Sequence, residues 1–249
     1  MKNLTWRLIN GMQLTYFTLW SAFWILVAVT VATVTRRRSL ALWLARRVWA
    51  PGINCVAGIR LNVVGAERIA PGTACYFASN HQSFMDIPVL FQALPADLHF
   101  VAKAELTSFP FIGWFMTSMG MVFVERGHPG QGLEAIKQVS DLLSSGHSVL
   151  SFSEGTRGDG VVLGRFKSGG FAAPLATGAS VVPVAIYGTA GIMPARRLSL
   201  RPGSVTVRIG SPLPTVDLSP DDRHTLAAET QKAVSEMLNG IVRTSGLSS

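Results

Sequence analysis

The sequence predicts an α/β fold with a mostly parallel central sheet covered by helices, preceded by an N-terminal membrane-associated helical segment. Three observations carry this. An uncharged apolar run of about 24 residues lies near the N-terminus and is long enough to span a bilayer as a helix. After about residue 58 the chain changes to apolar runs of four to six residues, separated by stretches of helical periodicity. Gly and Pro punctuate the junctions, and strand–helix alternation of this kind builds parallel sheets. With 249 residues the chain divides into 1–57, a membrane-anchoring helical segment, and 58–249, a globular domain.

In the first segment, "MQLTYFTLWSAFWILVAVTVATVT" (Met12 to Thr35) carries no charge. A basic cluster follows it where a signal peptide would have a small-residue cleavage site, so an uncleaved anchor is expected. "RRRSLALWLARRVWAPG" (36–52) forms a second helix, with Leu40, Trp43, Leu44, Val48 and Trp49 apolar and arginines beside them, suited to a membrane interface. The pair forms either a single span with an interfacial helix or a hairpin in one leaflet. Basic residues are more numerous after the run than before it, which places the catalytic body on the cytoplasmic face.

In the body the expected strands are "IRLNVV", "ACYFAS", "LHFVA", "MVFV", "SVLSF", "VVPVAI" and "VTVRI". Helical stretches fall at Ile87 to Ala93, Pro110 to Met119 and Gly130 to Ser144. The last has Leu133, Ile136, Val139, Leu142 and Leu143 at helical spacing, with Gly146 as its stop. Pro88 is tolerated only in a first turn, so its helix starts near Met85 or Asp86. "SPDD" announces the C-terminal helix, with Ser219 as N-cap, Pro220 first and Asp222 third.

The polar residues that follow the strands mark a site. His81 comes after "ACYFASN", Lys103 after "LHFVA", Arg126 after "MVFVE", and Glu154 with Arg157 after "SVLSFS". In a parallel sheet the carboxyl ends share one edge, and ligands bind in the crevice there. Asp86 at a helix start can hold one imidazole nitrogen of His81 while the other faces substrate, which makes a general base. Taken alone, the same two residues also read as a turn cap and a helix cap. "SEGTRGDG" adds a carboxylate at Glu154, a flexible Gly155, the Thr156 hydroxyl and the Arg157 guanidinium, a loop able to wrap a polar headgroup or to lie as a solvated turn. Arg157 has the planar fork for phosphate, and Lys103, Arg126 and Lys167 add point charges. "FPFIGWFM" (109–116) either lines an acyl channel, rests on lipid or is core.

Several functions are disfavoured. The formal charge is +8, yet the excess is local: no acid precedes Glu67, and beyond Arg60 fourteen basic residues balance fourteen acidic ones. Charge on an apolar segment suits anionic lipid headgroups, and no nucleic-acid partner is expected. The five histidines form no HExxH pattern and Cys55 and Cys75 no CxxC, so neither metal nor cofactor is expected. No GxSxG elbow or phosphate-loop spacing occurs, and Cys75 falls mid-strand; direct transfer is favoured over a covalent intermediate.

Four blocks in order resemble the glycerolipid acyltransferase superfamily, and within it the 1-acylglycerol-3-phosphate acyltransferases. They are "NHQSFMD" (80–86), "KAELTSFPFIG" with "GMVFVER" (103–126), "FSEGTR" (152–157) and "VVPVAI" (181–186); "RFKSGG" (165–170) is similar to the family's phosphate-side loop. The resemblance implies transfer of a fatty acyl group from an acyl-CoA or acyl-carrier-protein thioester to the sn-2 hydroxyl of lysophosphatidic acid, giving phosphatidic acid at a membrane. It implies His81 as base, Asp86 as its orienting carboxylate and no acyl-enzyme. It also places Glu154, Gly155, Thr156, Arg157, Lys103 and Arg126 at the acceptor's glycerol phosphate. Ser153 departs from the proline common before this block, which leaves the acceptor headgroup open; members acting on lyso-ornithine lipid or other lysolipids vary here. A non-catalytic, membrane-anchored binder of anionic lipid and a lipid hydrolase are the competing classes.

Overall fold

The structure, a computed structural model, describes residues 2–125, 129–158, 162–195 and 197–246. Seven strands form one sheet: β1 (Ile59–Val64), β2 (Tyr76–Ser79), β3 (Leu98–Lys103), β4 (Val122–Val124), β5 (Ser148–Phe152), β6 (Val181–Tyr187) and β7 (Gly203–Ile209). Their spatial order is β1-β7-β6-β2-β5-β3-β4. Every neighbouring pair is parallel except β6 with β7, which are antiparallel, so β1 and β7 run against the other five. All seven strand segments expected from apolar runs are present, and the sheet is mostly parallel as expected.

β2 lies at the centre with all four residues buried, the pattern of a strand covered on both faces. Alternate side chains enter two separate cores. Phe77, Leu150, Val182, Val184 and Ile186 pack on one face, while Tyr76, Ala78, Val149, Val181 and Ala185 pack on the other. The first core is capped by α1 (Lys2–Thr35), α2 (Arg38–Leu44), α3 (Ala50–Val56), α4 (Asp86–Ala93) and α5 (Ile112–Ser118). The second lies under α6 (Pro129–Ser144), α7 (Ala172–Thr177) and α9 (Arg223–Gly246), with α8 (Thr189–Ile192) a short turn after β6.

α1 extends ten residues further towards the N-terminus than its uncharged run and takes in Arg7. This end is held by long-range contacts: Asn10 exchanges two hydrogen bonds with the backbone of Leu200, and Gln13 Nε2 donates to Val56 O. Trp20 Nε1 donates to Trp49 O, while Trp49 Nε1 donates to Ser21 Oγ. Gly52 makes room for the Trp20 ring, since a Cβ there would come within 2.6 Å of it. α1 is apolar over Leu4–Thr35, with 11% of its most apolar window buried, unlike the mostly buried helix of a soluble core. The second expected helix continues past Pro51 to Val56. Pro51 has no N–H to offer the preceding turn, and the chain widens into a π turn over Ala45–Trp49 before it, closed by Ala50 N–H on Ala45 O.

Candidate active site

β2 ends at Ser79 and β5 at Phe152, and these two residues are register partners. His81 and Glu154 each follow two residues later, so strand register alone brings them side by side. Asn80 first locks the departing chain to β6: its Nδ2 donates to Ile186 O at 2.9 Å, and Ile186 N–H donates to its Oδ1 at 2.8 Å. The loop then turns into α4, which begins at Asp86 as Pro88 requires.

The Asp86 side chain is fully buried, and its Oδ2 gathers three donors. These are His81 Nδ1 at 2.7 Å, Gln82 N–H at 2.6 Å and Ser83 N–H at 2.9 Å. Two of the three are backbone amides of the turn that opens α4. A carboxylate at Nδ1 keeps the proton on that nitrogen and leaves Nε2 as a free acceptor. The ring is 17% exposed, and one face is stacked on Phe152 with centroids 3.8 Å apart and planes inclined by 14°. The imidazole is thus fixed by an edge and a face, and Nε2 is the ring atom left without a partner among the described residues.

Glu154 is buried, and both its oxygens hold backbone: Oε1 accepts from His81 N–H at 2.8 Å and Oε2 from Gly164 N–H at 2.7 Å. Gly158 N–H donates in turn to His81 O at 2.8 Å. A Cβ at Gly164 would sit 2.7 Å from Oε2, so this approach needs glycine. Gly155 adopts φ +73°, and the Lys167 stem passes over it; a Cβ there would meet that stem at 3.0–3.2 Å. Lys167 N–H also bonds Ser153 O at 2.8 Å, so the "RFKSGG" loop lies against the Glu154 loop. Arg157 is exposed, its guanidinium 3.8 Å from the ring centroid of Phe84, in the same turn as His81 and Asp86; Nη1 reaches Ala195 O at 3.5 Å.

His81, Asp86, Glu154, Gly155, Arg157 and Lys167 are therefore brought together. Thr156 is exposed on the same loop. Lys103 ends β3 on the shared edge, exposed and two strands from β2, about 10 Å across the sheet. Arg126 lies outside the described residues. A small cavity of about 70 Å³ adjoins the dyad on the α9 side, between His81, Glu154, Tyr187, Leu238 and Val242.

A family model described as Acyltransferase matches residues 60–187, just over half of the chain and the stretch that contains this whole arrangement. The chain belongs to the Acyltransferase family. Among acyltransferase relatives, it is 37% identical to the chloroplastic 1-acyl-sn-glycerol-3-phosphate acyltransferase of Arabidopsis thaliana, over 67% of this chain and 47% of that one. The chain thus spans about half the length of that plant relative. It is 32% identical to the lyso-ornithine lipid O-acyltransferase of Pseudomonas aeruginosa, over 84% of this chain and 81% of that one. Its fold matches the crystal structure of the 1-acyl-sn-glycerophosphate acyltransferase of Thermotoga maritima with a TM-score of 0.83, covering 97% and 98% of the two chains at 24% identity.

Three residues around this candidate site were not singled out from sequence. Phe152, Phe84 and Asn80 all lie inside the quoted blocks, but an apolar residue at a strand end or in a turn signals packing, and a lone Asn after a strand signals only a turn. Only the structure assigns Phe152 to the imidazole, Phe84 to the guanidinium and Asn80 to β6.

Proposed function

We propose that this chain is a 1-acylglycerol-3-phosphate O-acyltransferase, transferring a fatty acyl group from an acyl-CoA or acyl-carrier-protein thioester to the sn-2 hydroxyl of lysophosphatidic acid. The observation that carries this reading is the His81–Asp86 bond of 2.7 Å, in the same turn whose Phe84 shelves the Arg157 guanidinium. His81 Nε2 takes the proton of the acceptor hydroxyl as its oxygen attacks the thioester carbonyl. Asp86 orients the ring and stabilises the imidazolium that forms. When the tetrahedral intermediate collapses, the C–S bond breaks and the thiolate takes that proton, leaving phosphatidic acid and free thiol. Arg157 and Lys167 hold the acceptor phosphate, with Thr156, Gly155 and Lys103 around it, and Glu154 supports the loops that carry it.

Direct transfer is supported by the fate of the candidate nucleophiles. Ser83 Oγ, in the dyad's own turn, donates to Met193 O at 2.6 Å instead of to His81, and Cys75 is buried at the amino end of β2, away from the dyad. The domain works on the cytoplasmic face, with 1–57 as its membrane anchor and the donor arriving from solution.

The test is an acyl-transfer assay on the detergent-solubilised full chain, offering lysophosphatidic acid beside lyso-ornithine lipid with both donors. Label is expected in phosphatidic acid; no transfer to the phosphorylated acceptor with either donor overturns the reading. Transfer to lyso-ornithine lipid alone selects a second reading, favoured by the Pseudomonas relative's match over most of its length and by Ser153 in the acceptor loop. Free fatty acid released without acceptor would mark a hydrolase. Lipid binding with no chemistry, unaffected by His81→Ala, would mark a scaffold.

A further inference from the structure

A second concavity lies away from the dyad, where the first turns of α1 meet the loop leading into β7. It is an open groove of about 580 Å³, within the range of small-molecule sites, bounded by Trp6, Arg7 and Leu14 on the helix and by Leu198 and Arg201 on the loop. The reciprocal bonds between Asn10 and the Leu200 backbone, 2.7 and 3.2 Å, fasten its two walls together.

The lining is matched to one kind of ligand. Arg7 and Arg201 are both exposed, and neither guanidinium has a carboxylate or hydrogen-bond partner among the described residues. None of the lining residues is acidic, and no acid occurs anywhere before Glu67. Two like charges on one groove without a counter-ion favour an anion, and a guanidinium fork fits phosphate oxygens in particular. Beside Asn10 and Ser199 the lining carries the apolar Leu14, Leu198 and Leu200, with Leu198 70% exposed at the loop, and Leu4 and Leu8, both above 60% exposed, continue the apolar surface on the flanking helix. An anionic head with hydrocarbon attached satisfies both halves of this surface, and the Trp6 indole suits the boundary between them.

We propose that this groove seats the headgroup of an anionic phospholipid of the membrane, at a site separate from the His81–Asp86 dyad and its cavity. Its place in the sheet gives it a use. β7 is two strands from β2, and its amino end lies beside the carboxyl end of β6, so the groove shares the edge of His81. A lipid held there turns that edge towards the bilayer that holds acyl acceptors.

The test is binding, independent of any transfer activity. Native mass spectrometry of the full chain in neutral detergent, titrated with phosphatidylglycerol or phosphatidylcholine, is expected to detect a preferential site for the anionic lipid. Arg7→Gln with Arg201→Gln should weaken it roughly thirtyfold, from about a fivefold contribution per arginine near a lipid surface. Arg223→Gln with Lys232→Gln, which removes the same charge from exposed positions on the C-terminal helix, should leave it unchanged. Leu198→Asp, at a position exposed enough to leave the fold intact by circular dichroism, should weaken it at least tenfold by a second route. Equal affinity for the two lipids overturns the proposal. So does equal loss from the control pair, no loss from Leu198→Asp, or displacement of the lipid by inorganic phosphate at matched concentration.

Discussion

Two histidines at opposite ends of this sheet have opposite chemistry. His81, beyond the carboxyl end of β2, has Nδ1 on a buried carboxylate, one face on Phe152 and Nε2 left open. His99, second residue of β3 at the amino end, is 2% exposed, and its Nδ1 has no hydrogen-bond partner among the described residues. Burial pushes His99 down to about 4, and His147, whose ring lies 5.0 Å away, adds to this. Burial alone produces a neutral, inert imidazole. The base proposed at His81 instead combines partial burial with a carboxylate on Nδ1, and that pairing is found at the carboxyl edge.

The largest test of that contrast is at the dyad. Asp86→Asn keeps shape but removes the charge that holds the His81 tautomer, and kcat should fall by about 10³–10⁴ with lipid binding retained. His81→Ala should match it, and the double variant should be no worse, because the two act as one unit.

At the other end the expected effect is on stability. The unfolded chain takes up a proton on His99 near pH 6.5, whereas the folded chain resists it until about pH 4. This contribution is therefore complete above pH 6.5 and is lost as pH falls towards 4. Between pH 7.5 and 5 it amounts to about 2 kcal/mol. Thermal unfolding at the two pH values should differ less in His99→Gln than in the wild type; an equal difference would break the comparison.

A smaller effect is expected where the dyad is braced. Glu154→Gln leaves one carboxamide oxygen for two backbone amides, so kcat should drop roughly tenfold while KM for the acceptor holds steady. A rise in KM without a fall in kcat would instead assign Glu154 to substrate. Smallest is the shelf: Phe84→Leu removes an exposed cation–π contact and should raise KM for a phosphorylated acceptor about threefold, leaving kcat alone.

Local signals were read well because their causes are local. The seven apolar runs became the seven strands, Pro88 set the start of α4 at Asp86, and the Ser219–Asp222 capping box formed at the expected positions. Other features had no local cause to read. Nothing in "VVPVAI" or "VTVRI" says that the two strands run antiparallel, since an apolar strand carries no mark of direction. The ten residues before Met12 became helix through Asn10 and Leu200, 190 positions apart. Glu154, expected at the acceptor, spends both oxygens on amides of His81 and Gly164.

By itself, the sequence determined the elements, the order of the polar blocks and the edge on which they fall, because periodicity, caps and proline act within a few residues. Tertiary structure decided the rest: which amide Glu154 holds 73 positions away, which strand Asn80 grips 106 positions away, and which ring faces His81. Those contacts exist only when distant segments are packed side by side. The free energy that orients the imidazole is therefore a property of the fold rather than of any one motif.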